Sequence, residues 1–410
     1  MSLSFMRRAL YSAALLLCGP LGALAASTPA PFIVGVGTHL FNRPLPVNTP
    51  VALMQAAGIA SVRDDAFWST VEQQPGQLGL PQEGFRYLKA QRDNGINSVL
   101  VLGYGNRFYA NDSKPIALDV RKGYARFVDV VAHRLKGQVG FYEVYNEWDL
   151  EDPTSQAFSD AYLELVRDTA SQVRRIDPKA RLLAGAVTTQ GIKAGFADRL
   201  VAGGLMKVVD GLSLHPYVHC EKTGGGNTPE SWIRWLRDVS AHLDSIAGQP
   251  VPLYLTEMGW HSTANLHPCG IDEATQAAWL ARAYLLAKTL PAVKGLWWYD
   301  LANDGSDPAE QEHNFGLLRH NLSPKPAYEA LKRLSPVLSG YQYIPDTAPV
   351  AADSQSLVQL TFQKGHERLL AVWTQGTPTS VTLTVSGAPH DPVQVSGMPL
   401  LIPLNTTGNP

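Results

Sequence analysis

The sequence predicts a (β/α)8 barrel followed by a small all-β, sandwich-like domain. Three observations lead there. Short apolar runs alternate with longer amphipathic ones eight times between residues 31 and 335. The short runs lack the polar alternation of a half-exposed strand, so they read as strands covered on both faces. After about residue 340 the rhythm changes to alternating apolar and polar residues separated by turn formers, with no helical pattern among them. Eight strand–helix units spread over about 300 residues are the signature of a closed parallel barrel. The competing arrangement is a doubly wound open sheet. It would carry G-x-G-x-x-G after its first strand if it held a dinucleotide, and "GVGTHLFNRP" (35–44) breaks that fingerprint.

The elements follow in order. Arg7 and Arg8, an apolar run from Ala9 to Cys18, Gly19-Pro20 and then Ala23-Leu24-Ala25 have the layout of a cleavable export signal, with cutting expected after Ala25. The run is too short to span a bilayer, and no later stretch is long enough. A periplasmic or secreted protein is expected, with a barrel over 26–338 and a β-domain over 339–410. The strand candidates of the barrel are "FIVGVG" (32–37), "IASVRD" (59–64), "NSVLVLG" (97–103), "VGFYEVY" (139–145), "RLLAGAV" (181–187), "DGLSLH" (210–215), "PLYLTE" (252–257) and "VKGLWWYD" (293–300). Helical periodicity marks a segment closing on Gly58, then 119–137, 155–177, 229–248, 272–290 and 323–334. In the tail, "SLVQLTFQK", "ERLLAVWTQ" and "SVTLTVSG" read as antiparallel strands.

Composition excludes some partners. Without residues 1–25 the chain holds 32 basic and 36 acidic residues, a net charge of −4, so no nucleic-acid partner is expected. The expected state is a monomer with no cofactor. Nine tryptophans and fifteen tyrosines provide flat amphipathic rings of the kind that pack on sugars, although core packing also uses them. Cys220 and Cys269 survive signal removal. They read as one disulfide in an exported protein, against free thiols or a zinc site with His219, His261 and His267. The zinc reading lacks paired ligand spacing.

In such a barrel the chemistry collects at the carboxyl ends of the strands. The second strand ends near Arg63, the fourth on Asn146-Glu147, the sixth on His215-Pro216-Tyr217, the seventh on Glu257 and the eighth on Trp297 to Asp300. A carboxylate at the end of an apolar strand is costly to desolvate unless something uses it. Two glutamates across one mouth are the minimum equipment for cleaving a glycosidic bond, one giving a proton and the other attacking the anomeric carbon. Arg63 and the Tyr217 hydroxyl are expected to keep Glu257 ionised, and the apolar flanks Tyr145 and Trp148 to keep Glu147 protonated.

"YNEWD" (145–149), "HPY" (215–217) and "LTEMGW" (255–260) resemble the glycoside hydrolases of clan A, nearest to the style of families 39 and 5. These are retaining (β/α)8 enzymes. The likeness covers roughly residues 31 to 335, and "WWYDLANDGSDPAEQEHNFGLLRHNLSPKPAYEAL" (297–331) resembles their last strand, substrate loop and final helix. The small β-domain suits members of the family 39 kind. The resemblance implies Glu147 as acid/base and Glu257 as nucleophile, with Asn146 on the sugar 2-hydroxyl. It implies Arg63 and Tyr217 around Glu257, His215 in the network, and Trp298, or Trp297 one residue away, as the floor of the −1 subsite. Asn106 and Glu312 are further candidate substrate contacts. One departure is that the third strand ends on "VLGYGNRF", supplying Tyr104 and Asn106 where several clan A families carry a histidine. This weakens the likeness to a plain family 5 cellulase and leaves the glycan open.

The expected partner is a β-linked polysaccharide or oligosaccharide, cut internally, with exo action of the β-xylosidase type as the alternative. A non-catalytic glycan-binding protein on the same fold is a second class. A metal-dependent barrel hydrolase is a third, disfavoured because "VGVGTHLF" has only His39 where H-x-H is needed, so no metal is expected.

Overall fold

A computed structural model describes residues 31–41, 46–345, 356–382, 384–385, 388–389 and 392–404. The expected export signal and the Ala25 cleavage point lie outside these residues. Eight parallel strands close into a barrel: β1 Ile33–Gly37, β2 Ser61–Phe67, β3 Asn97–Gly103, β4 Phe141–Val144, β5 Arg181–Thr188, β6 Gly211–His215, β7 Leu253–Met258 and β8 Val293–Trp298. Each strand pairs with its sequence neighbours, and β8 closes on β1 with Val36 beside Trp298.

Outer helices follow the strands: α1 Asn48–Ala56, α2 Gln82–Asp93, α3 Leu118–Arg134, α4 Gln156–Ile176, α5 Phe196–Ala202, α6 Pro229–Ala247, α7 Glu273–Ala287 and α8 Pro326–Gly340. Their starts are written in the sequence. Ser155, Thr228 and Asp272 each accept a backbone N–H three residues ahead, satisfying donors that the first turn leaves open. α6 also has Pro229 in its first turn and stops at Gly248, whose φ of 66° suits glycine. Its buried face carries Trp232, Ile233, Leu236 and Leu243.

Two helices lacked a readable signal. α2 is largely polar, with Gly84 inside it, so apolar periodicity misses it. That glycine has a packing reason, because an added Cβ would sit 2.7 Å from the Phe41 ring. α5 has only 7 residues, too few to establish a period. Among the described residues no helix is long and apolar enough to cross a membrane.

Behind the barrel, β9 Gln342–Ile344, β10 Leu357–Lys364, β11 Glu367–Thr374, β12 Thr379–Val381, β13 Val393–Val395 and β14 Leu400–Pro403 follow. β9, β10, β11 and β14 form one antiparallel sheet, and β12 pairs with β13. Leu370 and Val372 of the sheet pack on Val381 and Val395, which gives the sandwich-like layer. The other sheet face belongs to the barrel core through Phe362, Ala371 and Trp373. Arg282 on α7 donates to the Gly397 carbonyl at 2.6 Å, and Trp373 Nε1 donates to Glu230 on α6 at 2.6 Å. The third expected tail strand, 380–387, lies partly outside the described residues.

Candidate active site

β4 stops at Val144, and the chain then turns sharply, with Tyr145 at φ 61° and Glu147 at φ 45°. Neither is a glycine. Such left-handed residues cost of order 1–3 kcal/mol each and persist where the surroundings over-determine them. Here Trp148 is the anchor: it is buried, its ring lies 5.0 Å from Tyr145 and 5.3 Å from Tyr162, and its Nε1 donates to the Phe158 carbonyl. The turn lifts the Glu147 carboxylate into the barrel mouth.

Arg63, the third residue of β2 and not its end as expected, organises the opposite side. Its Nη1 donates to Glu257 Oε2 at 2.8 Å, its Nη2 to Asn146 Oδ1 at 2.6 Å and its Nε to Glu143 Oε2 at 2.6 Å. Asn146 therefore uses its oxygen on Arg63 and turns its NH2 donors elsewhere. Tyr217 donates to the other oxygen of Glu257 at 2.9 Å. Both contacts expected for Glu257 are in place.

Glu143 was not among the sequence candidates. It lies four residues before Glu147 on β4, with no solvent exposure. Burial alone would push its carboxyl up, but the charges of Arg63 and His215 and a Ser213 hydrogen bond hold it below the usual range. A carboxylate in the middle of the apolar run "VGFYEVY" was the available signal.

His215 sits between the two glutamates of the mouth. Its Nδ1 is 2.9 Å from Glu147 Oε1 and 3.8 Å from Glu257 Oε2. The Thr256 hydroxyl donates to Glu143 at 2.8 Å, so its oxygen accepts the Nε2–H of His215 at 3.2 Å. That network assigns the tautomer and leaves Nδ1 to share a proton with Glu147. Burial lowers the His215 pKa, yet the charges of Glu257 and Glu147 and the Glu147 hydrogen bond raise it above the ordinary value.

This corrects one expectation. The apolar flanks do not hold Glu147 protonated. Burial does raise its pKa, but the His215 hydrogen bond and the charges of His215 and Arg63 outweigh it, and the carboxyl falls below the usual range.

Two further expectations fail. Trp298 is fully buried beneath the mouth, 6.0 Å from the Trp260 ring, and its Nε1 donates to the Phe315 carbonyl. Trp297 packs lower in the barrel against Tyr254. Tyr299, one residue past the end of β8, lines the pocket that holds Glu147 and Glu257 instead. Asn106 is also fully buried and braces a loop, donating to the Glu72 carbonyl at 2.9 Å and accepting from the Phe108 N–H. It cannot meet substrate from there. Glu312 does line the pocket, beside Tyr299, and its carboxyl is raised by burial, with Glu257 and Asp304 adding like charge. The pocket has a volume of about 480 Å³.

The two cysteines form a disulfide, Cys220–Cys269, with Cα atoms 4.9 Å apart, which removes them from any zinc site. Closing a loop over a separation of 49 residues stabilises by about 4 kcal/mol in the chain-entropy model. The neighbouring His219 and His261 stack edge to face, 5.2 Å apart, and each packs against Phe315. Burial, with the positive charge of His267 adding to it, pushes His219 down to about 4. Burial, then the charges of His219, His267 and Lys222, pushes His261 down to about 3.

Both rings are thus neutral when folded and take up protons near 6.5 when unfolded. The unfolded chain binds more protons between those values, so these histidines make stability fall as pH drops below 6.5. The loss continues until about pH 4 for His219 and about pH 3 for His261. In denaturant titrations at pH 7 and pH 5, a His219→Gln/His261→Gln variant should lose less stability on acidification than the parent. An equal loss would contradict this assignment.

No family model matches the sequence, and no curated protein is similar to it. Solved structures do match. One is a family 39 glycoside hydrolase from the gut symbiont Bacteroides cellulosilyticus WH2, with TM-score 0.76 and 24% identity, covering 92% of this chain and 81% of that one. Another is a monomeric beta-xylosidase from Caulobacter crescentus CB15, with TM-score 0.62 and 17% identity, covering 91% of this chain and 94% of that one. A third is the GH39 enzyme from Xanthomonas axonopodis pv. citri, with TM-score 0.60 and 18% identity, covering 86% of this chain and 74% of that one. A closed eight-stranded parallel barrel with a small antiparallel domain behind it is thus what this chain shares with glycoside hydrolases of family 39: it has their fold.

Proposed function

We propose that this protein is a retaining glycosidase acting on a β-linked glycan, with Glu257 as nucleophile and Glu147 as acid/base. One observation carries the reading. An oxygen of Glu147, a ring nitrogen of His215 and an oxygen of Glu257 all lie within 4.8 Å of one another. Carboxyl groups about 5–5.5 Å apart suit double displacement, whereas inversion needs about 6.5–9.5 Å to admit a water between them.

In the first step Glu257 attacks the anomeric carbon as a carboxylate, steered by Arg63 and Tyr217. The proton that His215 Nδ1 shares with Glu147 passes by way of the Glu147 carboxyl to the departing oxygen. The glycosyl–Glu257 ester then loses its sugar to a water that Glu147, now ionised, deprotonates. The depressed Glu147 pKa suits this second role. Asn146 turns its NH2 toward the sugar, and Tyr299 and Glu312 form the wall across the pocket.

A second cavity of about 550 Å³ shares Thr189, Gln190, Tyr217 and His219 with the catalytic pocket. Room for sugars beyond the scissile bond supports internal cleavage of a polymer. The disulfide supports an exported location.

The test is release of reducing ends from β-glucans, xylans, mannans, galactans and bacterial exopolysaccharides, with product sizes separating internal cuts from end-trimming. Failure on every glycan, with binding retained, would move the protein to the glycan-binding class. Glu147→Gln should slow cleavage of natural linkages about 10²–10⁴-fold, the usual worth of general acid catalysis. It should spare much of the first step on aryl glycosides with acidic leaving groups. Equal losses on both substrate types would contradict the acid assignment.

A further inference from the structure

The lone histidine after β1 belongs to a second cluster, outside the catalytic pair. His39 follows β1, while Asp300 and Asp304 both lie on the segment after β8, and one ligand-type atom from each lies within 4.8 Å of the others. His39 Nδ1 is 2.9 Å from Asp304 Oδ1. All three residues line a cavity of about 280 Å³ that is separate from the catalytic pocket.

Asp300 is the telling member. It is only 2% exposed, and its Oδ1 has no hydrogen-bond partner. A buried carboxyl oxygen without a hydrogen-bond partner is unfavourable, and a cation bound to it would offset that cost. Double displacement at Glu147 and Glu257 gives this carboxyl no task.

We propose that the cluster is a binding site for a divalent transition-metal ion of the zinc class, held by His39, Asp300 and Asp304. One imidazole and two carboxylates suit zinc or manganese better than calcium, which takes six to eight oxygens. Ligand atoms on a tetrahedral zinc with bonds of about 2.0 Å sit about 3.3 Å apart, so small side-chain shifts complete the set. The cavity leaves the fourth position open to water. The outer oxygen of Asp304 accepts the Tyr299 hydroxyl at 3.3 Å, the kind of outer contact that fixes a ligating carboxylate. Through Tyr299 the ion would brace one wall of the catalytic pocket.

The Glu147–His215–Glu257 group is the competing cation site. There the Arg63 guanidinium already lies 2.8 Å from Glu257 Oε2, and its charge opposes a second cation.

The experiment is zinc chloride titrated calorimetrically into the untagged full chain, followed by elemental analysis after gel filtration. One ion per chain is expected. Asp300→Asn and His39→Gln should each weaken binding at least tenfold while keeping the parent's circular dichroism. Absence of uptake by the parent would overturn the proposal. Uptake that survives in both variants would also overturn it, and so would uptake that Glu257→Ala alone removes. These readouts need no glycan, so they stand apart from the test of the glycosidase reading.

Discussion

Glu257→Ala is expected to abolish turnover, with a loss on the order of 10⁴-fold or more, as for nucleophiles that act as part of a unit. In the proposed mechanism this carboxylate forms the covalent bond to the anomeric carbon, and no neighbour can replace it. Arg63 and Tyr217 are fixed around the vacated space, at 2.8 and 2.9 Å from the missing oxygens. A small anion such as azide fits that space and can attack the anomeric carbon in place of the side chain. Azide should therefore restore cleavage of an activated β-aryl glycoside and yield the α-glycosyl azide, readable by proton NMR. A β-azide, or a variant with parental rates, would remove Glu257 from the nucleophile role.

The largest stability effect is expected at Arg63→Met. This guanidinium is 6% exposed and is the cation shared by Glu143 and Glu257. Glu143 has no exposure at all, so the substitution leaves a buried carboxylate without its main counter-charge. Breaking such a pair by removing one partner costs about 3–5 kcal/mol. Arg63→Lys should rescue little, because one ammonium cannot reach Glu143, Asn146 and Glu257 with the planar fork that the three contacts need. Adding Glu143→Gln to Arg63→Met should recover part of the loss, since the two residues are coupled. Denaturant unfolding of the four proteins measures this. A loss under 1 kcal/mol for Arg63→Met would show that the buried pair contributes little to holding the barrel mouth.

Much of the barrel was legible in the linear order of residues. The strands run as doubly covered apolar segments, and their ends pointed to Glu147, Tyr217 and Glu257, because parallel barrel strands deliver their carboxyl ends to one face; Arg63 lies within β2, which continues to Phe67. The expected contacts of Arg63 and Tyr217 with Glu257 are present.

What one dimension left undecided has two physical causes. Strand side chains alternate with period two, so the exact stopping point of β8 chooses which neighbour meets the cleft; Tyr299 does, while Trp297 and Trp298 turn into the core. Asn106 likewise reads as an exposed polar residue until the loop folds its amide onto Glu72 and Phe108. The protonation of a carboxyl depends on what lies within a few ångströms in space. Glu147 has aromatic neighbours along the chain, yet its partner is His215, 68 residues away and 2.9 Å distant. Glu143 and Asp300 show the same rule: local sequence hides both in apolar runs, and only packing reveals that one carboxylate is paired while the other has an oxygen with no partner.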